Sequence, residues 1–376
     1  MGKTHISTEP LTGTSLRVLR LIPPICTSDI MSIPSKTTEY YISKPQGIDN
    51  LILREAPLAP SKSTEVLVKI HAVSLNYRDI AAVTGNYPGL KDEPVPCSDM
   101  AGEVIAVGSE VKGWKKGDRV ASNFAVDHVH GEITKEIKDT SLGGAIDGTL
   151  TRYKNFPAHA LVRVPEHLTY EEAATLPCAA VTAWNALLGP VPLKGGDTVL
   201  VQGTGGVSIF ALQIAAAMGA TVIATSSSNV KLQIAKKLGA THLINYKETP
   251  DWDQEALKLT GGRGVDHIVE IGGPGTLDKS ISAARYGGWV HNIGFLAGVN
   301  TDLSGLTLKM LHKAIVYRSV LVGTRYQFED LNRLLVARQI HPVIDKVFSF
   351  EQAKDAYQHL LSQKHVGKVV IKVAKD

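Results

Sequence analysis

Residues 198–208, TVLVQGTGGVS, decide how the chain is read. TVLVQ is an apolar run of strand length, Gly203, Gly205 and Gly206 follow at once, and from 207 to 218 the spacing is helical. A strand, a glycine turn and a helix in that order form a dinucleotide site. One glycine permits the tight turn, another lets backbone approach a pyrophosphate, and the helix N-terminus faces the negative charge. Ser208 stands where a third glycine commonly lies and is small enough for close helix–strand packing. Gly203, Thr204, Gly205, Gly206 and Val207 are therefore the candidate phosphate-binding residues.

Downstream, the same rhythm repeats. TVIAT (221–225), HLINY (242–246), VDHIVEIG (265–272), WVHNIG (289–294) and SVLVG (319–323) read as strands, with helices over 230–238, 252–260 and 276–285. Apolar strands alternating with helices predict a parallel sheet covered on both faces. Of the 34 glycines, 18 lie between Gly189 and Gly298, in the turns of this region. An NAD site usually carries an acid about 20 residues after the glycine turn. Here the second strand ends in TSSSNVK, and no carboxylate occurs from 221 to 247. Ser226, Ser227 and Lys231 suit a 2′-phosphate, because they donate hydrogen bonds and positive charge. NADPH is the predicted cofactor, with NADH as the alternative. Gly272 and Gly294 end successive strands on the side where open sheets bind ligands.

Upstream, EVLVKIHAVSL (65–75) alternates at period two, and 101–111 and 117–122 read as further short strands, so this part is mainly β. Residues 123–150 show no periodicity and read as a loop, with His128 and His130 beside Asp127 and Glu132 as solvated side chains. The tail reads as strand (342–350), helix (351–363) and strand (367–373). Pattern alone leaves open whether it extends the parallel sheet or returns to the first domain.

A length of 376 residues suggests two domains. The 40 basic and 36 acidic residues are interspersed, a net +4 that carries no nucleic-acid footprint and no polybasic membrane patch. The longest apolar stretch, 209–224, is broken by Gln213 and Gly219 and falls short of the roughly 20 residues that span a bilayer. A small-molecule substrate is expected, with no nucleic-acid or membrane partner. Cys26, Cys97 and Cys178 cannot form a disulfide framework. Residues 1–38, rich in Ser and Thr, read as a flexible extension. The expected location is cytoplasmic, with LRVLRLIPP as the argument for a mitochondrial alternative.

LNYRD (75–79), DMAGEVIAVG (99–108), GDRV (117–120), TLPCAAVTAW (175–184), QGTGGVS and TGGRGVD resemble, in order, the medium-chain dehydrogenase/reductase superfamily over residues 40–373. The resemblance implies an α/β fold: a GroES-like β-rich catalytic domain over 39–168 and a Rossmann doubly wound parallel sheet, the NADP-binding domain, over 169–324. It also implies that the tail, 325–376, returns to the catalytic domain, and that the chain is a homodimer. In the zinc branch a Cys2His site holds the metal. The positions matching the first Cys and the His are Asn76 and Ser98, which leaves Cys178 alone, and one thiolate cannot hold a catalytic zinc. The chain is thus similar to the zinc-free, quinone oxidoreductase-like branch.

Without a Lewis acid, hydride transfer to a plain aldehyde loads a full charge on one oxygen, whereas an enone or quinone spreads it. The expected activity is NADPH-dependent reduction of an activated C=C or a quinone. One alternative is a zinc-independent alcohol dehydrogenase or carbonyl reductase, in which Tyr77 or Tyr87 supplies the proton. The other is a non-catalytic nucleotide-binding protein. By the resemblance Asn76 is a donor to substrate or cofactor, Tyr87 stands at the pocket mouth with Tyr77 nearby, and Asp79 follows the ligand motif. Thr182 lies near the nicotinamide and Tyr246 on the adenine side.

Overall fold

Period-two alternation becomes antiparallel pairing in the first part of the chain. β1 (Lys36–Ile42) and β2 (Leu51–Pro57) form a two-stranded ribbon. β3 (Glu65–Leu75) is the centre of a second sheet, pairing with β4 (Asp99–Val107) on one side. β5 (Arg119–Ser122) follows β4; β6 (Tyr153–Pro157) pairs with the first half of β3, and β7 (Leu161–Arg163) with β5. The computed structural model describes residues 33–297 and 304–374, and all the elements named belong to the unit Pro34–Asp376. Residues 1–32 lie outside the described residues, and β1 begins at Lys36, so the extension expected over 1–38 overruns its last three residues.

The apolar runs of the second half form the parallel sheet: β8 (Thr198–Gln202), β9 (Thr221–Ser226), β10 (His242–Asn245), β11 (Val265–Glu270), β12 (Ala284–Asn292) and β13 (Val316–Ser319). Their spatial order is β10-β9-β8-β11-β12-β13. The order reverses between β8 and β11, which places the glycine turn after β8 at the switch point where such sheets bind ligands. The last of these strands lies earlier than the expected 319–323. Trp289–Asn292 pair with Val316–Ser319, and Val322 takes a positive φ of 50°, which no continuing strand tolerates.

The tail resolves the alternative that pattern left open. β15 (Lys368–Lys372) pairs antiparallel with β3, Val369 opposite Leu75, and β14 (Ile344–Ser349) lies parallel to β15. The final strand therefore belongs to the sheet of β3. Two side chains show why: Phe348 and Tyr357 are buried in the core that contains Tyr40, Val68 and Phe156, and each such burial contributes about 1.5–3 kcal/mol. A second core joins Phe210 and Ile214, on the helix Gly206–Ala217, to Val201 of β8 and to Phe328.

The 123–150 segment is more ordered than its lack of periodicity suggested. It carries a short helix, Lys135–Lys138, capped by Thr134, and buries Leu142 and Leu150. Gly143 and Gly148 press on the backbone of Cys97, leaving no room there for a Cβ. His128 is not solvated: it is buried, with Nε2 3.1 Å from the Gly131 carbonyl, while Asp127 pairs with His159 at 2.7 Å.

Inside the parallel sheet, His267 on β11 and His291 on β12 have parallel rings, with His267 Nδ1 and His291 Nε2 3.1 Å apart. Burial holds both below the ordinary imidazole range, His291 down to about 3. Asp197 sits 3.8 Å from His267, and the charge of Arg318 opposes protonation of His291. Because the folded values are depressed, the unfolded chain binds the extra protons below its own pKa of about 6.5. Stability therefore falls as pH falls from about 6.5 toward 3. In melts from pH 6.5 to pH 4, the wild type should lose stability steadily as the pH falls, and His291→Asn should flatten that limb.

Candidate active site

The phosphate turn is built as its residues require. Gly203 has a φ of 68°, and at Gly205 nothing lies within 4 Å of where a side chain would project. Gly205 caps the helix Gly206–Ala217, whose first N–H groups have no partner within the helix. The cradle therefore fits a pyrophosphate. Ser208 donates to the Gln202 carbonyl at 2.6 Å, binding helix to strand. Thr204 is buried, and its carbonyl accepts from Gly367 at 2.9 Å.

Beside it, the loops that end β11 and β12 meet without space for side chains. A Cβ on Gly272 would come within 2.2 Å of Thr276, and one on Gly294 within 2.7 Å of the Ile271 carbonyl. Both glycines are thus required by packing, but Gly272 is buried, its amide donating to Glu270 and its carbonyl accepting from Ala297 at 2.9 Å, so the ligand contact expected of it is replaced by packing within the protein. Beneath them lies a network that sequence reading missed. The fully buried Glu270 carboxylate accepts from the Gly272 and Gly273 amides at 2.8 and 2.9 Å and from Thr276 at 2.6 Å; Gln202 donates to it at 2.7 Å.

At the adenosine side, Ser226 is buried at the end of β9, and Ser227 comes next, half-buried. The Tyr246 amide donates to the Ser226 carbonyl at 3.1 Å, which sets that exposed ring at the same edge. Lys231 is less free than its sequence position suggested. Its ammonium donates to the carbonyls of Gln363 at 2.8 Å and His365 at 3.0 Å, and burial lowers its pKa. Two of three N–H groups are engaged, which leaves one for a ligand. A carboxylate also approaches this edge from just beyond the acid-free stretch: Glu248 accepts from Asn229 and Asn245 at 2.7 and 2.9 Å.

On the catalytic side, Asn76 begins the helix Tyr77–Val83 in a capping box, its amide donating to Asp79 Oδ2 at 2.8 Å. Arg78 reaches Asp79 at 3.3 Å and the Leu142 carbonyl at 3.0 Å, with Tyr87 covering the guanidinium at 4.4 Å from its ring centroid. Tyr87 is thus placed as a cover for a buried cation. Tyr77 is exposed and meets Phe295 edge to face at 6.0 Å, where β12 ends. Thr182 comes just after a π-helical turn, Leu176–Ala180, and its hydroxyl donates to the Cys178 carbonyl at 2.6 Å. That donation is spent within the helix, so only the acceptor lone pairs of Thr182 remain for a ligand.

The metal positions hold a different donor set. Ser98 donates to Asp99 at 2.6 Å, and the Cys178 amide donates to the other Asp99 oxygen at 3.1 Å. Burial pushes the Cys178 thiol above its ordinary range. The Asn76 Oδ1 accepts from the ammonium of Lys368, a buried residue on β15 that also donates to the Leu75 carbonyl at 2.7 Å. A divalent cation does not fit beside a buried ammonium, with an amide and a hydroxyl where two of its ligands would stand. Among the described residues, no three His, Cys, Asp or Glu side chains come together as a metal cluster. Sequence reading missed Lys368 because it lies in GKVVIKV, which reads only as a strand. The available signal was a lysine in an otherwise apolar buried run.

A cofactor cradle at the switch point and a polar site where β3 meets β15 define a pyridine-nucleotide oxidoreductase. Residues 62–166 match the alcohol dehydrogenase GroES-like domain, and 206–337 match the zinc-binding dehydrogenases. The chain belongs to the medium-chain dehydrogenase/reductase superfamily and is an NAD(P)H-dependent oxidoreductase. It is 49% identical, over 82% of its length and 91% of the relative, to a zinc-type alcohol dehydrogenase-like protein of Schizosaccharomyces pombe. A 2-methylene-furan-3-one reductase of Solanum lycopersicum is 30% identical over 92% of this chain and 81% of its own. A solved structure assigned to the alcohol dehydrogenases, from Sinorhizobium meliloti 1021, is 40% identical with a TM-score of 0.84, over 91% of this chain and all of that one. Among the described residues, no helix is long and apolar enough to cross a membrane.

Proposed function

We propose that the chain reduces an activated C=C bond of an α,β-unsaturated carbonyl compound, or a quinone, with NADPH and without zinc. The observation that carries this reading is the donor set at the metal positions. An amide and a hydroxyl stand at two of the ligand positions, the ammonium of Lys368 reaches the first of them, and Asn76 Nδ2 is covered, with no partner within hydrogen-bond distance. The cofactor, when bound, supplies the hydride. Hydride addition to the β-carbon of an enone leaves charge shared between the carbonyl oxygen and the α-carbon. A neutral N–H donor such as Asn76 Nδ2 stabilises that dispersed charge, whereas the concentrated charge of an alkoxide calls for a metal or an acid. The name of the tomato relative, an enone reductase, agrees with this class of substrate.

Gly203, Thr204, Gly205, Gly206 and Val207 hold the pyrophosphate in this reading, with Gly294 offering backbone to the nicotinamide half and Gly272 packed behind it. Ser226, Ser227 and the remaining N–H of Lys231 take the 2′-phosphate, and Tyr246 covers the adenine. Thr182 accepts from the carboxamide, and Tyr77 and Tyr87 shape the substrate pocket. The chain acts as a homodimer through β13, the sheet's edge, where Val316 and Tyr317 are exposed beside unpaired backbone.

Two measurements check these assignments. Consumption of NADPH should be rapid with 3-buten-2-one or 9,10-phenanthrenequinone and at least about tenfold slower with simple aldehydes, a difference of about 1.4 kcal/mol in barrier. Equal rates on aldehydes would favour the carbonyl-reductase alternative. Lys231→Glu should weaken NADPH binding by about 100-fold and NADH binding far less, because a charge-assisted contact to phosphate becomes a repulsion. Equal losses for the two cofactors, read by nucleotide fluorescence, would refute the 2′-phosphate assignment.

A further inference from the structure

We propose that Lys368 is a positioning residue of the active site: its buried ammonium fixes the Asn76 carboxamide in the one orientation that leaves the NH2 group free to donate. The proposal rests on the reading of Asn76 as the donor to substrate. An ammonium has three donors and no acceptor, so the atom of Asn76 that faces it is the oxygen. Nδ2 is thereby turned away from Lys368 and lies covered on the side of the buried Asp99 carboxylate, outside full hydrogen-bond geometry, so that at least one of its two N–H groups is unspent. If that amide were reversed, two donors would face each other and the site would present an acceptor in place of the donor.

The ammonium itself has no freedom to swing away. It is held by the Leu75 carbonyl, the last of β3, at 2.7 Å, and its stem lies against the phosphate turn: a Cβ on Gly206 would come within 2.7 Å of Lys368 Cδ. The preceding residue, Gly367, donates to the Thr204 carbonyl at 2.9 Å and bridges to Gly205. One short segment thus contacts both the turn that cradles the cofactor and the amide that faces the substrate. Lys368 also brings a positive charge toward the buried Asp99, which accepts from Ser98 and Cys178. A cation stands among the vacated ligand positions, but it is covalently part of the chain.

The test compares Lys368→Gln with Lys368→Met, assayed with NADPH and whichever of 3-buten-2-one and 9,10-phenanthrenequinone the wild type reduces faster. Both variants remove the charge and are close in length, but only Gln keeps an N–H to donate to Asn76. We expect kcat about 100-fold lower for Lys368→Met, the cost of one misplaced donor, with NADPH affinity unchanged. Lys368→Gln should stay within about tenfold of wild type, since one neutral hydrogen bond replaces a charged one. Equal losses in the two variants, or wild-type kcat in Lys368→Met, overturn the proposal.

Asn76→Asp separates this from the underlying reading, because it keeps an acceptor for Lys368 and loses the NH2. If Asn76→Asp retains wild-type kcat, Asn76 is not the donor and both fall. If it is inactive while Lys368→Met is fully active, only the role of Lys368 falls. Should neither variant at 368 fold, Asn76→Asp decides alone. A melting point at or above wild type with kcat about 100-fold lower supports the Lys368 contact, and a lower melting point overturns it.

Discussion

The ammonium of Lys368, donating to the Leu75 carbonyl and to Asn76 Oδ1, is the contact on which the geometry of the site depends. It exists because the chain, having built the parallel sheet, sends its last strand back to pair with β3. That return brings residue 368 between the phosphate turn and the start of the helix Tyr77–Val83. Burying an ammonium is costly unless it is fully hydrogen-bonded and faces negative charge, and here the backbone carbonyl, the amide oxygen and nearby Asp99 meet that requirement. The same cluster holds the other buried charges: burial raises the Asp79 pKa, Arg78 opposes that rise, and both lie in the first turn of the helix that Asn76 begins.

The site fits the chemistry of a dispersed charge. A metal-dependent dehydrogenase concentrates positive charge on one substrate oxygen, and its ligands must be deprotonated to hold the ion. At the corresponding positions here are an amide, a hydroxyl bonded to a carboxylate, and a single thiol. These groups donate and accept hydrogen bonds, and a fixed ammonium supplies the local positive charge from behind. In the proposed reduction such an arrangement would stabilise the oxygen of an enolate or of a hydroquinone anion with little reorganisation, because its dipoles are already oriented.

Much of the fold was legible from local pattern. The glycine turn after TVLVQ, the period-two alternation of EVLVKIHAVSL and the apolar strands of the second half specify their elements from residues close in sequence, and the strand over 65–75 coincides with β3. What could not be read depends on distant pairing. SVLVG has strand composition, yet pairing with Trp289–Asn292 selects Val316–Ser319. His128 looked solvated because nothing nearby in sequence buries it, but the 123–150 segment folds over it and binds its ring nitrogen. Of the site, Asn76, Tyr87 and the glycines were accessible through their motifs. Lys368 was not, because its function arises only where a strand 292 residues later meets Asn76. Lys231 was legible as a charge, but not as one tied to the carbonyls of residues 363 and 365.

Whether the ammonium of Lys368 takes the place of a metal is read most directly by elemental analysis of the full-length protein purified from zinc-supplemented culture without chelators. Zinc should lie far below one atom per chain, with NADPH binding intact. A stoichiometry of about one zinc per chain, retained through dialysis and lost only with activity, would contradict that replacement.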